Sequence, residues 1–257
     1  MFLPLARSGL KDGNLELNPS NKTMKNFKSK SAILSAVLVL AATSVSQAVP
    51  TLRIQSGATI ITVTDGGAGD ADPLAGSISY TAPAGTFANW SVVFSGGITK
   101  PVIGSTTAPE LDLNWNIVRT AGSGSGSITA MFSENGFNLA TAKPFVTSSG
   151  GTLGTAANSA TVNTFYAGND TVLATTTPLT THVFNGPGAF AANDNGVAPA
   201  DPTVAFTIVL TLTQGAGQIT SGDIHLSSVN VPEGGSMVTF LGTALLGLGA
   251  FAARRKS

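Results

Sequence analysis

Residues Glu110–Arg119 read ELDLNWNIVR. Leu111, Leu113, Trp115 and Ile117 alternate with Asp112, Asn114 and Asn116, the period of two expected of a strand with one face in a core and the other in water. VAFTIVLTLT, from Val204, repeats the pattern with Val204, Phe206, Ile208, Leu210 and Leu212 on one side. The same reading predicts strands over Ala58–Thr64, Ser77–Ala82, Trp90–Ser95, Ser127–Ser133, Ala160–Tyr166, Thr181–Phe184 and Asp223–Val229. Gly, Asn, Asp, Ser and Pro clusters such as DGGAGDADP and SGGITKP separate them. Between the two terminal regions no stretch has the 3.6-residue period of an amphipathic helix. The expected fold is therefore all-β, an antiparallel β-sandwich of eight to ten short strands, with the jelly roll as one arrangement of it. The stretches Thr141–Gly154 and Gly186–Pro202 hold few large apolar residues and are expected to be long surface loops.

Both ends carry a different pattern. Met24 opens MKNFKSKSAILSAVLVLAATSVSQAVP: Lys25, Lys28 and Lys30 precede an apolar run from Ala32 to Val45, and Ser46-Gln47-Ala48 places small residues at two cleavage positions. This is the organisation of a secretory signal peptide over 24–48, processed by the Sec translocon and signal peptidase. Residues 1–23 lack a periodic apolar face and read as an over-extended start, the competing reading being a genuinely long n-region. At the other end, Val231, Pro232, Glu233, Gly234, Gly235 and Ser236 precede an apolar stretch over 237–253 and then Arg254, Arg255 and Lys256. About 17 residues at ~1.5 Å per residue reach roughly 25 Å, just enough to cross a membrane core. The basic cluster then stays in the cytoplasm and everything before Val231 lies outside. A plain tail anchor is the simpler reading of the same segment.

The tripartite tail, VPEGGS followed by a Gly/Leu/Ala-rich helix and Arg-Arg-Lys, resembles the PEP-CTERM class of bacterial sorting signals, and within it the VPDSG-type variant. Gly234 stands where the parent pattern has a second proline, and Glu233 where the variant has Asp. The resemblance implies an exosortase-type processing enzyme as partner. It also implies an inner-membrane precursor that ends in the cell envelope, on the cell surface or outside the cell. Leu52–Leu139 further resembles ectodomains of sorted proteins of this class, which implies β architecture and no chemistry.

Between the signals, residues 49–230 form the expected ectodomain. Roughly 180 residues support one hydrophobic core, so a single domain is expected over two small ones. Its basic residues are Arg53, Lys100, Arg119 and Lys143. Ten acids face these four and leave a formal charge of −6. A domain of that sign lacks the clustered Lys and Arg that nucleic-acid phosphates require, so no nucleic-acid partner is expected. With no cysteine in the chain, disulfides, a Cys nucleophile and thiolate metal sites are excluded.

The chemical inventory is short. His182 and His225 are the histidines, and neither belongs to a serine elbow or a metal-spacing motif. No catalytic residue is assigned, and the chain is expected not to be an enzyme. Asp65, Asp70 and Asp72, on the glycine-rich DGGAGDAD stretch, are candidate oxygen ligands for Ca²⁺. The spacing is not that of an EF-hand, and Asp and Gly are also what turns use. Trp90, Trp115 and Tyr80 share faces with aliphatic residues and are expected in the core. Tyr166, Phe190 and Phe137 are left as candidates for an exposed platform that would stack on a sugar. The sequence thus supports an exported, non-catalytic surface or extracellular-matrix protein. The alternative is a lectin-like module, Ca²⁺-dependent or not, for an exopolysaccharide.

Overall fold

The computed structural model describes residues 48–122, 124–154 and 158–229. They contain twelve strands and no helix: β1 Thr51–Ser56, β2 Thr59–Thr64, β3 Ser77–Thr81, β4 Trp90–Ile98, β5 Glu110–Arg119, β6 Ser125–Leu139, β7 Lys143–Leu153, β8 Ser159–Ala167, β9 Thr177–Asn185, β10 Gly188–Ala198, β11 Asp201–Gly215 and β12 Gln218–Ser228. All pairings are antiparallel, in two six-stranded sheets ordered β2-β1-β6-β11-β8-β9 and β10-β7-β12-β5-β4-β3. The fold is a β-sandwich.

From β5 onward the chain passes repeatedly between the sheets. Strands β5, β12, β7 and β10 lie side by side in one sheet, and β6, β11, β8 and β9 in the other. Eight strands in that order form two interlocked Greek keys, the connectivity of a jelly roll. The hairpin β1–β2 extends one sheet beyond β6, and β3–β4 extends the other beyond β5.

The core follows the alternation. Leu111, Leu113, Trp115 and Ile117 of β5 are buried, as are Phe206, Ile208, Leu210 and Leu212 of β11 and Ile224 and Leu226 of β12. Trp90 and Tyr80 are also core residues. The Trp115 ring lies over glycine: a Cβ on Gly222 would stand 2.5 Å from Trp115 Cζ2. Phe190 has the same relation to Gly151, where an added Cβ would come within 2.8 Å of its Cζ. The bare backbone at these two positions lets large rings from neighbouring strands fold across the sheet.

Two expectations are overturned. Thr141–Gly154 and Gly186–Pro202 are not loops; they hold β7 and β10, which pair with each other over eleven residues. Strand β7 does alternate, with Phe145, Thr147, Ser149 and Leu153 buried. Most of these inward residues are too small or too polar to register as an apolar face. Strand β10 lies at a sheet edge, where backbone pairing to β7 rather than side-chain burial holds it extended. Several predicted strands are also longer than expected; β6 continues to Leu139 and β9 begins at Thr177.

Candidate functional site

Among the described residues, ionisable groups concentrate on the outer face of the second sheet, on its central strands β5 and β12. The register sets His225 opposite Asp112, Asp223 opposite Asn114 and Ser227 opposite Glu110. Because Leu111, Leu113, Ile224 and Leu226 point inward, Glu110, Asp112, Asn114, Asp223 and His225 share the outward face. Small residues flank them. On β7, Ser148 faces His225 and Gly150 faces Asp223; on β4, Gly96 lies beside Asn114.

Within this patch His225 Nε2 and Glu110 Oε1 are 2.7 Å apart, each side chain about a third exposed. Asn114 donates its amide to Asp112 Oδ1. The Asp112 and Asp223 carboxyls lie close enough on this face for each to bear on the other's ionisation. Asp223 Oδ1 is buried with no hydrogen-bond partner among the described residues. Burial, foremost, and then the neighbouring Asp223 charge push Asp112 up to about 7, although the His225 charge works against the shift. Asp223 is raised as well, chiefly by burial, with the neighbouring Asp112 and then His225 opposing. The arrangement is a carboxyl pair that keeps a proton near neutrality, beside an imidazole–carboxylate pair. Its exposed donors and acceptors can hydrogen-bond a polar ligand laid across the sheet.

The aspartates singled out by the sequence lie elsewhere, in the turn between β2 and β3. Asp70 Oδ2 accepts from Gly66 N (2.9 Å), and Asp70 Oδ1 accepts from Asp72 N (2.9 Å) and Ser79 N (3.0 Å). Asp65 Oδ2 accepts from Gly76 N at 2.7 Å. Asp72 takes the Leu74 amide and the Ser77 hydroxyl, which hold its carboxyl below the usual carboxylate range. These carboxylates tie the turn together through backbone donors. Among the described residues, no group of three or more His, Cys, Asp or Glu is placed to hold a metal ion.

His182 on β9 contacts Asp194 on β10 at 3.1 Å, bridging the edges of the two sheets. Its ring stacks on Phe184 at 4.3 Å, and Phe184 on Phe190 at 4.2 Å. The platform candidates divide: Phe137 is buried in the core, correcting its assignment to an exposed position, while Tyr166 and Phe190 are half-buried against it. Ser46, Val231–Ser236 and Arg254–Lys256 lie outside the described residues; Ala48 is the first of those described.

The sequence reading did not identify the carboxyl pair. Alternation around ELDLNWNIVR put Asp112 outward, and alternation around Ile224 and Leu226 put His225 outward. Only the pairing of β12 with β5, whose strands are more than a hundred residues apart in the chain, sets Asp223 against Asp112.

No known family model matches the chain, and neither does any curated protein. Two solved structures show remote likeness. One is the enzymatically active domain of bacteriophage CBA120 tailspike protein 4, at a TM-score of 0.28 and 11% identity, covering 55% of this chain and 20% of that one. The other is an isomalto-dextranase of Arthrobacter globiformis T6 complexed with panose, at a TM-score of 0.23 and 16% identity, covering 59% and 23%. The chain thus spans about a fifth of each, and at these scores neither likeness bears on its fold or activity.

Proposed function

We propose that this chain is the precursor of an exported, non-catalytic protein of the bacterial cell envelope or extracellular matrix. Its β-sandwich is the mature part. A signal peptide over 24–48 directs export, and the segment from Val231 to Ser257 is read by an exosortase-type enzyme. The observation that carries this reading is the order of features in that segment: a signature containing Pro232, Gly234 and Gly235, an apolar stretch, then Arg254, Arg255 and Lys256. A cysteine-free sandwich with one continuous core suits a domain that must hold itself together outside the cell.

Intact mass of the protein recovered separately from membrane, envelope and culture fluid tests the reading. Loss of the leader through Ala48 together with loss of the apolar tail is expected, and any added mass identifies an attached glycan or lipid. A chain that keeps Arg254–Ser257 and stays in the membrane refutes sorting.

A second reading, binding of an exopolysaccharide, is favoured by the polar outer face around Asp112, Asp223 and His225. Sugar hydroxyls both donate and accept, and this face offers both kinds of partner beside glycine and serine. Retention on a glycan panel that is lost in Asp223→Asn supports it. In this reading calcium is not required, and retention that vanishes on chelation would instead return the Asp65–Asp72 turn to consideration.

A further inference from the structure

Each sheet has two edges, and three of the four edge strands carry a device that discourages pairing with another chain. Strands β2 and β3 are only six and five residues long, and the β3 pairing is interrupted by an irregularity between Ile78 and Tyr80. Strand β9 contains Pro178, and its pairing shifts register beside that residue. Strand β10 has none of these. It runs eleven residues in unbroken register with β7 and contains no proline and no lysine or arginine; its one charged residue is Asp194. No backbone hydrogen bond joins it to any described strand but β7. Strand β9 packs beside it through His182–Asp194 and Phe184–Phe190 and brings the Leu179 carbonyl close to Gly196, yet leaves the N–H and C=O groups of every second residue without a backbone partner among the described residues, along roughly 37 Å at ~3.4 Å per residue.

We propose that β10 is a self-association edge, at which a second copy of this chain adds its own β10 antiparallel across a two-fold axis through Asn193. The sequence of the strand selects the copy as occupant. Asn193 is the middle residue of Gly188–Ala198, so an axis there pairs the whole strand with itself. Ala192 then faces Asp194, Phe190 faces Gly196, and Ala189 faces Val197. No two charges face each other, and no two bulky side chains compete for one place. Asp194 is in addition held by His182 of its own chain, at 3.1 Å. The two sheets would join into one of twelve strands. Isologous contacts of this kind close on themselves as dimers. This inference goes beyond the sorting proposal and stands without it.

Sedimentation velocity of the processed protein, from micromolar to millimolar concentration, tests the edge together with amide exchange read at β10. The expected result is a reversible shift from monomer to twice that mass, with alternate β10 amides gaining protection as the dimer forms. Asn193 is exposed, so Asn193→Lys leaves melting unchanged but sets two lysines against each other at the axis. It should raise the dimer dissociation constant about fivefold or more. A protein that remains monomeric over the whole range overturns the proposal. So does a dimer that Asn193→Lys leaves intact and whose β10 amides exchange as they do in the monomer. Neither result affects the intact-mass test of sorting.

Discussion

Replacing Asp112 by Asn should change how stability depends on pH. In the folded protein Asp112 is pushed up to about 7 from an ordinary value of 3.8. Between those values the native state holds a proton that the unfolded chain has released, so the stability this group contributes is complete below the lower value and is lost as pH rises through the upper one. A difference of roughly 3 units at 1.36 kcal/mol each sets a ceiling of ~4 kcal/mol. Asp112 is only half-buried, and solvent screening reduces this to about 1–2 kcal/mol. The substituted amide fills the same space and cannot ionise. Urea unfolding of the wild type and of the Asp112→Asn variant from pH 4 to pH 9 isolates Asp112 together with its neighbours Asp223 and His225, because titrations away from this patch cancel in the difference. The variant should gain relative stability as pH rises, ending about 1–2 kcal/mol ahead of its starting difference. A difference that stays flat, or that moves against the variant with rising pH, would show that the carboxyl pair holds no proton.

Other perturbations probe the supports of the sandwich. Lys100 Nζ lies 2.9 Å from Glu134 Oε1, and the Glu134 side chain is almost wholly buried; Lys100→Met should cost about 3–5 kcal/mol in chemical denaturation. Converting Glu134 to Gln in the same chain should recover much of that loss, since the harm lies in the uncompensated charge. Asp70→Ala removes an acceptor for three backbone amides; a loss of about 1–2 kcal/mol, with faster amide exchange at Gly66, Asp72 and Ser79, is the expected result. Gly222→Ala drives a methyl into the Trp115 ring and should lower stability by ~1–3 kcal/mol, with a changed tryptophan emission spectrum.

The sequence was most informative where side chains themselves encode the period. ELDLNWNIVR and VAFTIVLTLT alternate large apolar and polar residues, and a one-residue shift would turn every leucine to water, so both strand and face are legible. KPFVTSSGGTL and GAFAANDNGVA are strands for another reason: neighbouring backbones need partners, and small residues allow close approach. Their state depends on what lies beside them. The turn aspartates show the converse, since local composition marked a turn there and the carboxylates are bound by donors within the Asp65–Ser79 segment itself.

By itself, then, the amino-acid order determined the all-β class, the inward face of most strands, the placement of Trp90, Trp115 and Tyr80 in the core, and the net acidity of the domain. Those properties follow from contacts within a few residues or from composition. The tertiary structure decided which strands are neighbours, and with that everything that depends on distant pairs: Asp112 against Asp223, Glu110 against His225, Lys100 against Glu134, and β10 as an edge. Such pairs form only when sheets assemble from remote segments. Alternation specifies which way a side chain points and is silent about what it will meet.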